Sequence, residues 1–416
     1  MQRLGKRCGL ITLSFLLLTN ALLACANLPQ SGKVGSSYQG DRVGLCKAQS
    51  LPTLTTKTTS TSLLQSIYFI SGVHLYALNA GNGALRWCMY ASNSNSNQQL
   101  QGDISWLSGP PPPPDGFTAL TVNSSIIYAT SLNGYTYSFN ANSGAMLWHQ
   151  NTGFANTSAP TAAGNMVYVG SSNIYALDAQ NGRVRWQFPT PDVVTSSPVL
   201  VNGLLYLGSY GNRVYALDAV TGKKRWEYPT EGRVYVAPVI DQGSMYFGAG
   251  NDQVLLSALN TQNGQRLWSL STPIDGNSSL LAAHGLLYVQ INHSLFALNE
   301  HNGTTVWQSP VDSPIRPLLV NGILYVASFD NGMYAFNATN GTLLWHNPLN
   351  QMSAGVTTAP VLLNGTLFVE TMDEGVNLSQ SPQPRQAILH ALNAGNGVEK
   401  WYASVDWNVG TIDVAA

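Results

Sequence analysis

The chain has 416 residues, 44% of them hydrophobic and 9% charged, with a formal net charge of −1. So little charge excludes the basic footprint of a nucleic-acid binder and a polybasic patch for a membrane surface. Solubility falls to the Asn, Ser, Thr and Gln of the turns.

Arg3, Lys6 and Arg7 precede the apolar run Leu10–Leu18, the layout of an export signal. The run is too short for a membrane span. Leu22-Leu23-Ala24-Cys25 follows and resembles the lipobox of bacterial lipoproteins. The resemblance implies a signal peptide over 1–24 and lipidation of Cys25. An ordinary export signal that happens to carry a cysteine is the alternative. Ala26 is not the aspartate of inner-membrane retention. Residues 25–62 are rich in Ser, Thr and Gly and read as a flexible tether. With Cys8 removed and Cys25 lipidated, Cys46 and Cys88 remain. Outside the cytoplasm they are a candidate disulfide, with two free thiols as the alternative.

From residue 63 to 416 one phrase dominates: Tyr-Ala-Leu-Asn/Asp-Ala-x-x-Gly-x-x-x-Trp, in eight copies ending at Trp87, Trp148, Trp186, Trp226, Trp268, Trp307, Trp345 and Trp401. The intervals are 61, 38, 40, 42, 39, 38 and 56 residues. A period near 40 marks a repeat whose single unit cannot bury its own apolar faces. The copy ending at Trp226 carries four short apolar runs: Pro198–Val201, Leu204–Ser209, Val214–Leu217 and Arg225–Tyr228. Asn-Gly and Asp/Gly turns separate them, so the unit reads as a four-stranded meander. The fold class expected is all-β, an eight-bladed β-propeller. The first unit opens near Ile67 on a second strand, and 410–416 falls where a first strand is missing. The C-terminal strand is therefore expected to close the ring. Each repeat Gly should supply a positive φ, and each repeat Trp should pack between blades with its N–H paired.

The two long intervals imply insertions at about 91–116 and 372–386. The first holds Trp106 and the polyproline run Pro110–Pro114. Both should rise on a face of the ring, where loops carry function. The histidines (74, 149, 284, 293, 301, 346 and 390) show no metal-ligand spacing and read as solvent or strand-edge positions.

The repeat resembles the PQQ-like propeller family, which includes quinoprotein alcohol dehydrogenases and BamB-like assembly lipoproteins. Tyr215–Trp226 carries the pattern most fully. The enzyme branch implies a vicinal cysteine pair and a calcium site beside a catalytic aspartate. This chain has no adjacent cysteines, and its expected inner strands offer hydroxyls, amides and an arginine. Asp413 is the one acid read at such a position. No cofactor is therefore expected, neither PQQ nor calcium, and no catalytic residue is assigned. The BamB-like branch implies a lipid-anchored, extracytoplasmic scaffold with a protein or peptide partner on one face of the ring. The extended Leu/Arg interaction loop of that branch has no clear counterpart here. Candidate contacts at the channel mouth are Arg233, Tyr235, Asn277, Arg316 and Thr358, with Arg316 foremost because a ring-lining arginine needs an anion, a partner or water. Two other readings stand beside this one. One is a PQQ-dependent oxidoreductase of reduced type. The other is a cell-surface sensor of small ligands or glycans, stacking them on Trp106 or Tyr235.

Overall fold

The computed structural model describes residues 65–71, 74–90, 116–131, 134–153, 158–251, 253–274, 279–312, 315–328, 332–349, 356, 358–372, 386–406 and 412–415. The expected export signal and lipidated Cys25, the expected tether with Cys46, and both expected insertions apart from their outermost residues lie outside them. Cys88 is disulfide-bonded, and the chain's other three cysteines lie outside the described residues. No helix among the described residues is long and apolar enough to cross a membrane.

The described chain forms eight four-stranded antiparallel sheets. Blade 4 is typical: Val199–Val201 innermost, then Leu204–Ser209, Arg213–Asp218 and, outermost, Lys224–Pro229. Blades 2, 3, 5, 6, 7 and 8 begin at Phe117, Thr161, Val239, Leu281, Leu318 and Val361. Blade 1 draws its second to fourth strands from Ser66–Tyr90 and its innermost strand from Ile412–Ala415. There Ile67 pairs with Val414 and Tyr68 with Asp413. The expected closure by the C-terminal strand is what the structure shows, and it pairs an edge that would otherwise stay open.

The two middle strands of each blade are buried on both faces, because a neighbouring blade covers each side. Leu205 and Leu207 of blade 4 are fully buried, as are Val214 and Leu217. The apolar side chains gather into eight clusters, each shared by two consecutive blades. The cluster of Ile67, Phe69, Phe368, Leu389 and Trp401 joins blade 8 to blade 1. Stability is thus distributed over the joints, as in other arrays of repeats.

The repeat phrase builds each joint. The third and fourth strands of every blade slip register at the same repeat position, as between Ala216 and Leu217, and those of blade 5 slip once more between Leu255 and Ser257. The Asp or Asn after the slip folds the turn with its own side chain: Asp218 Oδ1 accepts the Thr221 N–H (3.0 Å). Gly222 then takes φ 69°. The carbonyl of the next residue, Ala219, reaches the preceding blade and accepts Trp186 Nε1–H (3.0 Å) and the Tyr168 hydroxyl (3.2 Å). The same Trp and Tyr pair converges on Ala141, Ala179, Thr261, Glu300, Ala338 and Ala394. Seven of the repeat tryptophans are thus interblade and paired, as their pattern predicts, and Trp401 packs at the joint of blades 8 and 1.

Candidate functional site at the channel mouth

Strand direction alternates, so the connections of a blade fall alternately at its two ends. Ala219 N–H donates to Gly203 O (3.0 Å), placing two turns at one end. Thr230 N–H donates to Asn212 O (2.9 Å), placing the link to the next blade at the other. Those links, such as 230–238, lead into the innermost strands and carry the candidate contacts.

Burial alternates along the link into blade 4. In blade 4 Val194, Ser196 and Pro198 are buried, whereas Thr195, Ser197 and Val199 are partly exposed. The buried set clamps the link to its own blade: Ser196 Oγ donates to Gly208 O (2.9 Å) and Ser158 Oγ to Gly170 O (3.0 Å). The exposed set lines the ring's central opening. Neighbouring links touch there, since Ala159 N–H donates to Ser197 Oγ (3.0 Å).

The expected contacts separate on this basis. Thr358 belongs to the buried set. It is 4% exposed, and its Oγ1 accepts the Glu370 N–H (3.0 Å), so it does not face the opening. Asn277 lies outside the described residues. Arg233 is exposed, and its guanidinium carbon lies 5.3 Å from the centroid of the Tyr210 ring, a cation–π contact. Tyr235 meets the same ring edge to face at 5.1 Å and 67°. Burial pushes the Tyr210 hydroxyl up, offset in part by the Thr195 hydroxyl and the Arg233 charge. Thr195 Oγ1 is itself buried without a hydrogen bond of good geometry. Tyr210 therefore unites two expected contacts that belong to one link. Its place in the turn between the second and third strands hid it from the repeat pattern.

Arg316 occupies the position immediately before the proline of its link. The matching residues of the other blades are Ala119, Ala159, Ser197, Ala237, Ser279, Ala359 and Thr411. Among the described residues, six of these positions carry small side chains, of which Ala119 is buried, and one carries arginine. Arg316 is exposed, yet desolvation by surrounding protein pushes its pKa down. Both hold for a side chain that water can reach but that protein walls surround, as in the ring's opening. It forms no ion pair with a described residue.

Two acids went unremarked in the sequence. Glu300 is 1% exposed and pushed up to about 7 by burial and by Asp241 of the neighbouring blade. Glu370 is also 1% exposed, and burial pushes it up to about 8. Each breaks its column of the repeat. Glu300 falls where other copies have Ala179, Ala219 or Ala338, and Glu370 where they have Gly170, Gly208 or Gly248. That departure was the available signal. His390 corrects the expectation of a solvent or edge position. It is 3% exposed, with Nε2 at 2.9 Å from Thr371 Oγ1 and Nδ1 at 2.6 Å from Glu399 Oε1.

The family model for outer membrane protein assembly factor BamB matches over residues 71–192, 170–316 and 292–412. The chain belongs to this PQQ-like propeller family. No curated protein sequence matches it. Among solved structures, BamB from Moraxella catarrhalis is 17% identical, with 74% of this chain and 89% of that one covered, at a TM-score of 0.56. A europium-containing methanol dehydrogenase is 14% identical, with 74% and 81% covered and a TM-score of 0.55. The computationally designed protein Ika8 is 13% identical, with 71% and 89% covered and a TM-score of 0.58. Likeness at these identities speaks for the fold, which assembly factors, enzymes and a designed ring share.

Calcium does not suit the residues described at the opening of this PQQ-like ring, where the side chain of Asp413 lies outside the description. Calcium takes six to eight oxygens, carboxylates among them. The described residues facing the opening supply Ala, Ser, Thr195, Tyr235 and the cation Arg316, which would repel it. Asp192, Glu231 and Asp312 lie farther back on their links, and Asp312 is engaged by Gln290 and His293. No group of three or more His, Cys, Asp or Glu that could hold a metal occurs among the described residues.

Proposed function

We propose that this chain is a lipid-anchored, extracytoplasmic propeller that binds a protein or peptide on the face formed by the interblade links, without chemistry of its own. The observation that carries the reading is the cluster of Arg233, Tyr210 and Tyr235 on that face. Aromatic rings and arginine are the side chains enriched where proteins bind one another. Membership of the BamB family supports the location and the anchor, and the lipobox at Cys25 agrees with both. The turns at the opposite end consist largely of Asn, Gly and Thr folded on themselves. A Cys46–Cys88 bond would fasten the tether to blade 1.

Photocrosslinking in cells tests the reading. A photoreactive residue at Tyr235 should give discrete adducts with a partner. The same residue at Asn263, on the opposite face, should give none. Identical adduct patterns from the two positions would overturn it.

A further inference from the structure

We propose that the joint between blades 4 and 5 holds a pocket for one aromatic side chain, a tyrosine or phenylalanine presented by a peptide partner. The inference rests on the reading of the link face as the binding face and adds the group that the face admits.

One column of the repeat carries the argument. The first residue of the repeat phrase is Tyr76, Tyr137, Tyr175, Tyr215, Phe296, Tyr334 or His390 in seven blades, and Ser257 in blade 5. The tyrosines and Phe296 pack into the joint with the preceding blade, each in the cluster that holds that blade's repeat tryptophan. Tyr215, for one, meets Phe188 of blade 3 edge to face at 5.7 Å. Ser257 keeps the register of this column. It lies opposite Phe247 and Ser269, as Tyr215 lies opposite Leu207 and Glu227. Residues in one register share a face of the sheet. The direction into the joint is thus conserved, and the ring is missing.

The joint stays hollow there. An open cavity of about 350 Å³, its mouth included, is lined among the described residues by Tyr228, Phe247, Ala249, Leu255, Ser257 and Ser269. Phe247 stands where blade 4 has the smaller Leu207 and takes up part of the room. Tyr228, in the place of Phe188, meets Phe247 edge to face at 6.5 Å and 64°. The hollow remains in spite of both. Two aromatic walls, an aliphatic one and two serine hydroxyls suit a benzenoid ring, which is what the sister blades supply from their own chain. The second register slip of blade 5, between Leu255 and Ser257, falls at the same place. Such bulges re-aim side chains beside binding sites.

Position chooses the source of the ring. Thr230 and Glu231 border the hollow and begin the link that carries Arg233 and Tyr235. A peptide held by that cluster is therefore close to the mouth.

The test is a ligand-observed NMR titration of the full-length protein in detergent with acetyl-Gly-Tyr-Gly-amide. Wild type should bind it saturably, and the Ala analogue should bind about tenfold more weakly for want of the buried ring. Ser257→Tyr combined with Phe247→Leu installs the Tyr215 and Leu207 pair of blade 4. The double variant should fold, melt above wild type because its own ring fills the hollow, and lose peptide binding. Ser269→Trp closes the mouth from an exposed position and should lose binding with an unchanged core. Ser257→Ala leaves the hollow open and should bind as wild type does. Unchanged binding in both blocking variants would overturn the pocket. Binding of p-cresol without binding of the peptide would overturn the peptide source and leave a pocket for a free phenol. The reading of the face is tested separately. Peptide binding that the blocking variants abolish, together with identical adducts from Tyr235 and Asn263, would remove the wider face and keep the pocket. Distinct adducts with no peptide binding would do the reverse.

Discussion

Trp401 lies against Gly83 so closely that a Cβ on the glycine would fall 2.9 Å from the indole Cε3 and Cζ3 atoms. Trp401 belongs to the last blade and Gly83 to the first, so this contact is the joint at which the ring meets itself. The relation recurs between Trp148 and Gly182, Trp186 and Gly222, Trp226 and Gly264, Trp268 and Gly303, Trp307 and Gly341, and Trp345 and Gly397. The repeat glycine is thus constrained twice, by φ near 70° and by the neighbouring indole.

Two alanine substitutions separate those constraints. Gly203 has φ 77° with nothing within 4 Å of an added Cβ. Gly203→Ala should cost about 1–2 kcal/mol, the penalty of a left-handed residue. Gly83→Ala should cost about 1–3 kcal/mol more, because the indole must shift. Urea unfolding midpoints check the order, and equal losses would remove the packing argument.

The carbonyl of Ala219 accepts two donors from the preceding blade, Trp186 and Tyr168. Tyr168→Phe or Trp186→Phe alone leaves it one donor. The double variant leaves a buried carbonyl with neither, and that desolvation is uncompensated. The combined loss should exceed the sum of the single losses by about 1 kcal/mol in a denaturation cycle. Additivity would show that the carbonyl finds water.

Stability should fall as the medium becomes alkaline. Glu300 has a folded pKa raised from 4.5 to about 7. Between those values the folded chain keeps a proton that the unfolded chain has lost. The stabilisation is complete below pH 4.5 and is lost as pH rises through 7, by roughly 3 kcal/mol. Glu370, raised to about 8, extends the decline. Glu300→Ala restores the residue of its sister copies. It should raise the melting temperature at pH 8 and flatten the slope between pH 5 and 7. An unchanged slope would show that Glu300 is not the titrating group.

Thr358→Val should destabilise the ring by about 1–3 kcal/mol, because the Glu370 N–H loses its acceptor in a dry place. Crosslinking through Tyr235 should be unaffected, since Thr358 belongs to the clamp and not to the opening. Lost adducts in a variant with a native melting temperature would return Thr358 to the site.

The sequence carried the fold because its signals repeat. Eight Trp and Gly positions agree on one joint, and the four runs ending at Tyr228 correspond to the four strands of blade 4. The site was less legible for the opposite reason. Arg316 was identified because an arginine on a ring-lining segment is conspicuous. Tyr210 lies in a turn whose neighbours follow no pattern, and only folding brings it to Tyr235. Thr358 was misplaced because residues adjacent along an extended link face opposite ways, and apolar periodicity does not reveal which faces the opening. Glu300, Glu370 and His390 depart from columns of small or aromatic residues, a contrast that an average over copies conceals.

The pairing of Ile67 with Val414 has a temporal consequence. A chain made from its N-terminus exposes blade 1 as three strands for almost the whole of synthesis, with a bare edge awaiting residues 412–415. Seven blades are complete before the eighth can be. Until then the nascent ring is an open arc with an adhesive edge, and a partner strand from any other chain could take the vacant place. Folding should therefore depend most on chaperoning until residues 412–415 have emerged and paired.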